Sequence, residues 1–236
     1  MRAHTISQRL SFHLEIGYDK GIVHRARRVR GLLYSDVLLV RHGESEANAT
    51  GRFASHTWDP HLTPIGKAQA LHLATQLHHA PIRYVVTSPL ARAQETIAPL
   101  AAVHGLKPVI LTDLSEVNLG QWDGQQLKVL EQSGLDSYRL WRVDPEKNPP
   151  PGGERILAVG QRVLETLTEF LSIHHETGLT VAATHADCVK GACLVIMNAD
   201  GPATRCMLVP NTGQVLLRHW DNGRWSIVLS PLYFKE

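Results

Sequence analysis

The sequence predicts a three-layer α/β/α domain on a mainly parallel central sheet with one antiparallel strand. Three observations carry that expectation. Short apolar runs alternate with longer amphipathic stretches, the order that yields a parallel sheet with helices on both faces. The first of those runs, Val37-Leu38-Leu39-Val40, is an oily stretch that reads as a buried strand. Two late strand-like runs flank Asp221-Asn222-Gly223, a hairpin signal that supplies the antiparallel member.

Each element has its own signal. The stretch DVLLV (36–40) reads as a buried strand. Thr63-Pro64 opens a helix, Thr as N-cap and Pro at the first helical position, running to about His79 with Ile65, Ala68 and Leu71 at core spacing. IRYVVT (82–87) is the second strand. Ser88-Pro89 repeats the cap-and-proline opening, and Leu90, Ala93, Ile97, Leu100 and Ala101 form one helical stripe that Gly105 ends. KPVILT (107–112) is the third strand, followed by irregular chain to the rigid NPPPGG loop (148–153). A long helix then carries Ile156, Val159, Val163, Leu167, Phe170 and Leu171 on one face. LTVAAT (179–184) is the fourth strand, with a helix from Ala186, and the hairpin strands lie near 214–219 and 225–229.

A chain of 236 residues suits one ordinary domain with room for an appendage. We divide it at residue 34. Residues 1–33 form a basic extension of unassigned role, with Ile6, Leu10 and Leu14 at helical spacing, and 34–236 form the main domain. Residues 1–35 carry a net +5 and the remainder −3, so the main body has no charge excess suited to nucleic acid. No apolar run is long enough to span a bilayer, and the basic N-terminus lacks the apolar segment of a secretory signal. Three cysteines, Cys188, Cys193 and Cys206, without CxxC spacing argue for a reducing, cytoplasmic setting. Fourteen histidines form no HExxH or Cys/His zinc pattern. The oligomeric state stays open, a homodimer among the choices.

In open α/β sheets ligands bind beyond the carboxyl ends of the strands, so what each strand delivers there matters. The first delivers Arg41-His42-Gly43-Glu44, the second Ser88 to Arg92, the third Asp113 to Glu116, and the fourth Thr184-His185-Ala186-Asp187. Two arginines, two histidines and a carboxylate would meet in one crevice. Cations gathered there repel unless an anion joins them, and a phosphoryl group with its charged oxygens fits. His42 then reads as a nucleophile and Arg41 as a phosphate clamp, with Gly43 allowing close backbone approach.

The blocks LVRHGESEAN (39–48), LTPIGKAQA (62–70), TSPLARAQET (87–96), LSEVNLGQWDG (114–124), PGGE (151–154) and ATHADCVKG (183–191) strongly resemble the histidine phosphatase superfamily, the phosphoglycerate-mutase-like group. The resemblance spans about 36 to 230. It implies that His42 accepts the phosphoryl group and that Arg41, Arg92 and His185 hold its oxygens. It implies that Asn48 approaches the same phosphate and that Glu116 is the acid that protonates the leaving oxygen. Glu44 and Glu154 become second-rank candidates. No metal or cofactor is required, because the arginines and His185 supply the positive charge.

The resemblance further implies a phosphomonoester hydrolase acting through phosphohistidine on a small phosphorylated metabolite. A phosphoglycerate-type mutase and a phospho-ligand binding protein without turnover are the alternatives. Mutases of this group carry an Arg-His pair after the acid glutamate, whereas Val117-Asn118 follows Glu116 here. That departure favours the phosphatase branch. Specificity is expected in residues 51–61 and 117–152, where Arg52 and His56 are candidates to contact the rest of the substrate.

Overall fold

The computed structural model describes residues 28–29, 32–134, 136–174 and 178–229. Most of the basic extension, with Ile6, Leu10 and Leu14, lies outside the described residues. The strands are β1 (Arg28–Val29), β2 (Leu32–Arg41), β3 (Ile82–Thr87), β4 (Val109–Ile110), β5 (Leu179–Thr184), β6 (Gln214–Trp220) and β7 (Trp225–Val228). The helices are α1 (Glu46–Thr50), α2 (Pro64–Gln76), α3 (Ala91–Val103), α4 (Leu127–Gln132), α5 (Asp136–Val143), α6 (Ile156–Ile173) and α7 (Ala186–Met197).

The sheet runs β4-β3-β5-β2-β6-β7, with β1 pairing antiparallel to β2 off this path. Strands β2 to β5 are mutually parallel, and β6 pairs antiparallel with both β2 and β7. Along the six-strand path β6 alone runs against the others, as the sequence predicted. The boundary drawn at residue 34 falls inside β2, which begins at Leu32.

Strand alternation divides the core into two layers. Val37 and Leu39 of β2, with Val86 and Ala182, face α6 and α7 through Val159, Val163, Leu167, Val189 and Ala192. Leu38 and Val40, with Val85, Val181 and Ala183, face α2 and α3 through Leu73, Leu77, Ile97 and Leu100. Burial on both faces is why the strands read as unbroken apolar runs. The stripes predicted on α3 from Ala93 onward and on α6 are buried as drawn.

Three expectations need correction. Helix α2 buries Gly66, Ala70, Leu73 and Ala74, whereas Ile65, Ala68 and Leu71 are exposed. Small residues occupy the buried face because Gly66 packs directly on the backbone of Gly43 and Glu44. Helix α3 begins at Ala91 after Leu90, and Ser88-Pro89 forms a turn ahead of it. Its first N–H is capped by the Asp59 carboxylate at 2.9 Å, from a distant loop. The third strand shrinks to Val109 and Ile110, both exposed on the sheet edge, because the chain turns at once into the 3₁₀ segment Thr112–Leu114. None of the helices among the described residues is long and apolar enough to cross a membrane.

Candidate active site

The parallel register aligns the ends of three central strands. Arg41 pairs with Thr184, and Thr87 with Ala183. His42 N–H continues the ladder to the Thr184 carbonyl and Ser88 N–H to the Ala183 carbonyl, both at 2.9 Å. Arg41-His42, Ser88 and His185 therefore leave the sheet side by side, above rigid backbone. A cavity of about 340 Å³ opens over this edge. Arg41, His42, Asn48, Arg52, Arg92 and Glu116 line it, with an apolar wall that includes Phe53, Val117, Leu119 and Leu127.

His42 is 3% exposed. Its Nδ1 lies 2.7 Å from the Gly43 carbonyl, an acceptor only, so Nδ1 carries the ring proton. The Arg92 Nε–H donates to Nε2 at 3.2 Å, which requires a lone pair there. Burial, and then the positive charges of Arg92 and Arg41, hold this imidazole well below its ordinary pKa. The ring is a neutral imidazole with its unprotonated nitrogen turned to a guanidinium.

Arg92 is itself buried, its Nη2 donating to the Ala54 carbonyl at 3.0 Å and its Nη1 3.7 Å from Asp59. Arg41 Nη1 donates to the Val209 carbonyl at 2.8 Å. Among the described residues Arg41 Nε, Arg92 Nη1 and His185 Nδ1 are buried without a hydrogen-bond partner. His185 is fully buried and is not among the residues that line the cavity, with Nε2 2.8 Å from Ser88 Oγ and its ring centroid 5.2 Å from that of His42. Its pKa is also held well below the ordinary value, by burial first and Arg92 second.

Glu116 closes the cluster, with Oε2 3.9 Å from His185 Nδ1. Burial, and then the like charge of Asp187, raise its pKa to about 7 against the opposing pull of Arg92. A carboxyl group of this kind can donate and retrieve a proton near neutrality. A ring nitrogen of each histidine and a Glu116 oxygen lie within 4.8 Å of one another, a donor set of the kind that binds metal. The two guanidinium groups beside it and the three unmatched N–H or imidazole positions suit a multiply charged oxyanion better than a cation.

The remaining candidates divide. Asn48 lines the cavity, with Oδ1 accepting from Ser45 N–H at 3.1 Å and Asn211 Nδ2 at 3.2 Å. Arg52 also lines it, its Nε on the Gly124 carbonyl and its guanidinium 5.2 Å from the Trp58 ring centroid. His56 is not among the lining residues; its backbone N–H is held by Asp123 at 2.9 Å. Glu44 Oε1 accepts from Thr63 Oγ1 at 2.7 Å, binding the strand end to the start of α2. Gly43 makes its close approach to Gly66, where a Cβ would lie 2.8 Å from the carbonyl oxygen.

Four supporting residues escaped the sequence reading. Arg162 of α6 grips Glu154 through Nε and Nη2 at 2.9 and 3.0 Å and donates to the carbonyls of Asp113, Ser115 and Glu116. It fixes the loop that presents Glu116. Asp123 accepts the N–H groups of Ser55, His56 and Thr57 and is lowered to about 2; those hydrogen bonds outweigh the contrary effect of burial. Asn211 Nδ2 donates to the His42 carbonyl, and Asp187 lines the cavity beside Glu116. Only the position of Asp187 after the ATH motif was visible beforehand. Cys188 is a buried thiol on the Ser115 carbonyl, raised to about 12 mainly by burial, so it is no nucleophile.

A sheet of this order carries a histidine-and-arginine cluster at its carboxyl edge, an arrangement suited to an oxyanion. The chain belongs to the histidine phosphatase superfamily (branch 1), whose profile matches residues 37–231. It is 37% identical over 125 residues to the adenosylcobalamin/α-ribazole phosphatase of Salmonella typhimurium, covering 53% of this chain and 61% of that protein. It is 36% identical over 139 residues to a 2,3-bisphosphoglycerate-dependent phosphoglycerate mutase of Rhizobium etli, covering 56% and 66%. The fold matches mycobacterial glucosyl-3-phosphoglycerate phosphatase with a TM-score of 0.74 at 22% identity, over 82% of this chain and 97% of that one.

Proposed function

We propose that the chain is a metal-independent phosphomonoester hydrolase that acts on a small phosphorylated metabolite through a phosphohistidine at His42. The observation that carries this reading is the unprotonated Nε2 of a buried, neutral His42 beside Arg92, with a Glu116 carboxyl oxygen within 4.8 Å of a ring nitrogen and its pKa raised to about 7.

The chemistry follows from the geometry. Arg41, Arg92 and His185 take the non-bridging oxygens, and Asn48 adds an amide donor. Nε2 of His42 displaces the alcohol at phosphorus, and the bond to the leaving oxygen breaks as Glu116 protonates it. The Gly43 carbonyl stabilises the Nδ1 proton as the ring gains charge. Glu116, now ionised, takes a proton from water as that water attacks phosphorus, returning His42 and inorganic phosphate.

Substrate choice rests on the outer cavity, whose lining includes Arg52 together with apolar residues, and on the neighbouring loop that carries His56. Val117 and Leu119 occupy the wall after Glu116, and Lys128, Arg139, Arg142 and Lys147 are not among the lining residues. The cavity thus lacks extra cations for a carboxylated sugar phosphate on that side, which weighs against the mutase. The odd cysteine count and exposed Cys206 support a cytoplasmic location. Residues 34–236 are read as the catalytic domain and the preceding basic segment as an appendage.

Single-turnover labelling with a phosphomonoester tests the proposal. The expected result is acid-labile, base-stable phosphate on His42 that water then discharges. Reversible binding with no covalent phosphate would support a binding protein instead, and transfer to a second metabolite would support the mutase.

A further inference from the structure

Ser88 and His185 are both fully buried, and the serine hydroxyl stands between two groups. Leu90 N–H lies 3.2 Å from Ser88 Oγ as a donor, and His185 Nε2 lies 2.8 Å from the same oxygen. A hydroxyl has one proton to give and lone pairs to receive. Were the imidazole proton on Nε2, Oγ would receive two donors. Its own proton would then have no acceptor among the described residues, an expensive omission in a dry site. With the hydroxyl donating to Nε2, every group in the chain from Leu90 to the ring is satisfied. The imidazole proton must then sit on Nδ1.

Nδ1 is the ring nitrogen without a hydrogen-bond partner, 3.9 Å from Glu116 Oε2. We infer that Ser88 fixes His185 as its Nδ1–H tautomer and is thereby a positioning residue that aims an N–H donor at the phosphoryl oxygens. The inference rests on the phosphoryl-transfer reading of the cavity. Burial and the neighbouring Arg92 keep this imidazole neutral, so there is one ring proton to place. Its location decides whether an incoming oxyanion meets a donor or a repelling lone pair. Ser88 therefore does more than turn the chain towards α3: its backbone extends the β5 ladder while its hydroxyl sets the chemistry of a residue 97 positions later.

Nitrogen-15 NMR of the histidine-labelled full chain, with orthovanadate as the probe and His185→Gln for assignment, decides the matter. The wild-type His185 should show a protonated Nδ1 and an unprotonated Nε2. Ser88→Ala should scramble or reverse that pattern and weaken orthovanadate binding roughly tenfold or more, the scale of one lost hydrogen bond to a charged group. Ser88→Thr, which keeps a hydroxyl, should retain the Nδ1–H tautomer. A wild-type ring protonated on Nε2 would overturn the inference, whether or not the variants fold. So would a Ser88→Ala protein that loses vanadate affinity with its tautomer unchanged, or keeps both. The tautomer is read without turnover, so its failure is separable from failure to label His42.

Discussion

The Arg92 Nε–H points at Nε2 of His42 across 3.2 Å, so a buried cation holds that ring nitrogen unprotonated. Arg92 is the second cause, after burial, of the lowered His42 pKa. Replacing it with Gln should raise that pKa towards the ordinary imidazole range and weaken binding of orthophosphate or vanadate. An NMR titration of the His42 ring checks the first effect in the free protein. The wild-type ring should stay neutral through pH 6.5 while the Arg92→Gln ring titrates at a higher pH than the wild type. Turnover should fall by roughly two to three orders of magnitude, typical of losing an electrostatic clamp. An unchanged titration would show that Arg92 does not set the state of His42.

Glu116 gives the opposite pH signature. Its folded pKa is raised to about 7, so it is protonated below and ionised above that point. As an acid it is lost as pH rises, and kcat/KM for alkyl phosphomonoesters should decline above about pH 7. The acidic side is less diagnostic because the substrate phosphate titrates near 6. Glu116→Gln should abolish the alkaline limb and slow alkyl esters by roughly 10² to 10⁴. Nitrophenyl phosphate, whose leaving group needs no proton, should suffer far less. Equal losses on both substrates would remove Glu116 from the role of acid.

Those residues were legible because each follows an apolar run, and runs of that kind become parallel strands whose ends converge. Residue spacing along one strand or helix was enough. What stayed hidden depends on contacts between distant segments. Asp59 caps α3 from another loop, so Ser88-Pro89 looked like the cap. Arg162 reads as one more charge on a helix face, yet it gathers three carbonyls of the Glu116 loop. The apolar size of Ile65 and Leu71 pointed to the wrong side of α2, because glycine and alanine fill the tight side. Asn211 belongs to no motif, and its role appears only once β6 lies beside β2.

The tight side of α2 yields a stability test. A Cβ on Gly66 would overlap the Glu44 carbonyl oxygen, and the adjacent Gly43 leaves no room to retreat. Glycine to alanine inside a helix normally gains about 1 kcal/mol. Overpacking of this backbone contact should cost roughly 2–3 kcal/mol, so the clash wins and the net effect is destabilising. Urea unfolding of Gly66→Ala should show a lower midpoint and reduced turnover, since Glu44 follows His42 by two residues. A stabilised variant would mean that α2 slides away from the strand end without consequence.

Asp123 links stability, pH and the loop that holds Arg92. Its carboxylate receives the N–H groups of Ser55, His56 and Thr57, which lower its pKa to about 2. A carboxylate whose pKa is depressed on folding stabilises the protein above its unfolded value of 3.8, and that contribution is lost as pH falls through it towards 2. Asp123→Asn keeps one acceptor oxygen but no charge. At neutral pH it should cost about 1–2 kcal/mol, the lower part of the range for hydrogen bonds to charged groups, because solvent reaches this side chain. Urea midpoints of the variant and wild type should converge between pH 4 and 2. The same loop carries Ala54, whose carbonyl accepts Arg92 Nη2 at 3.0 Å. Loosening it should therefore raise KM several-fold as well. A constant stability gap across that pH range would mean that the charge of Asp123 is not what holds the loop.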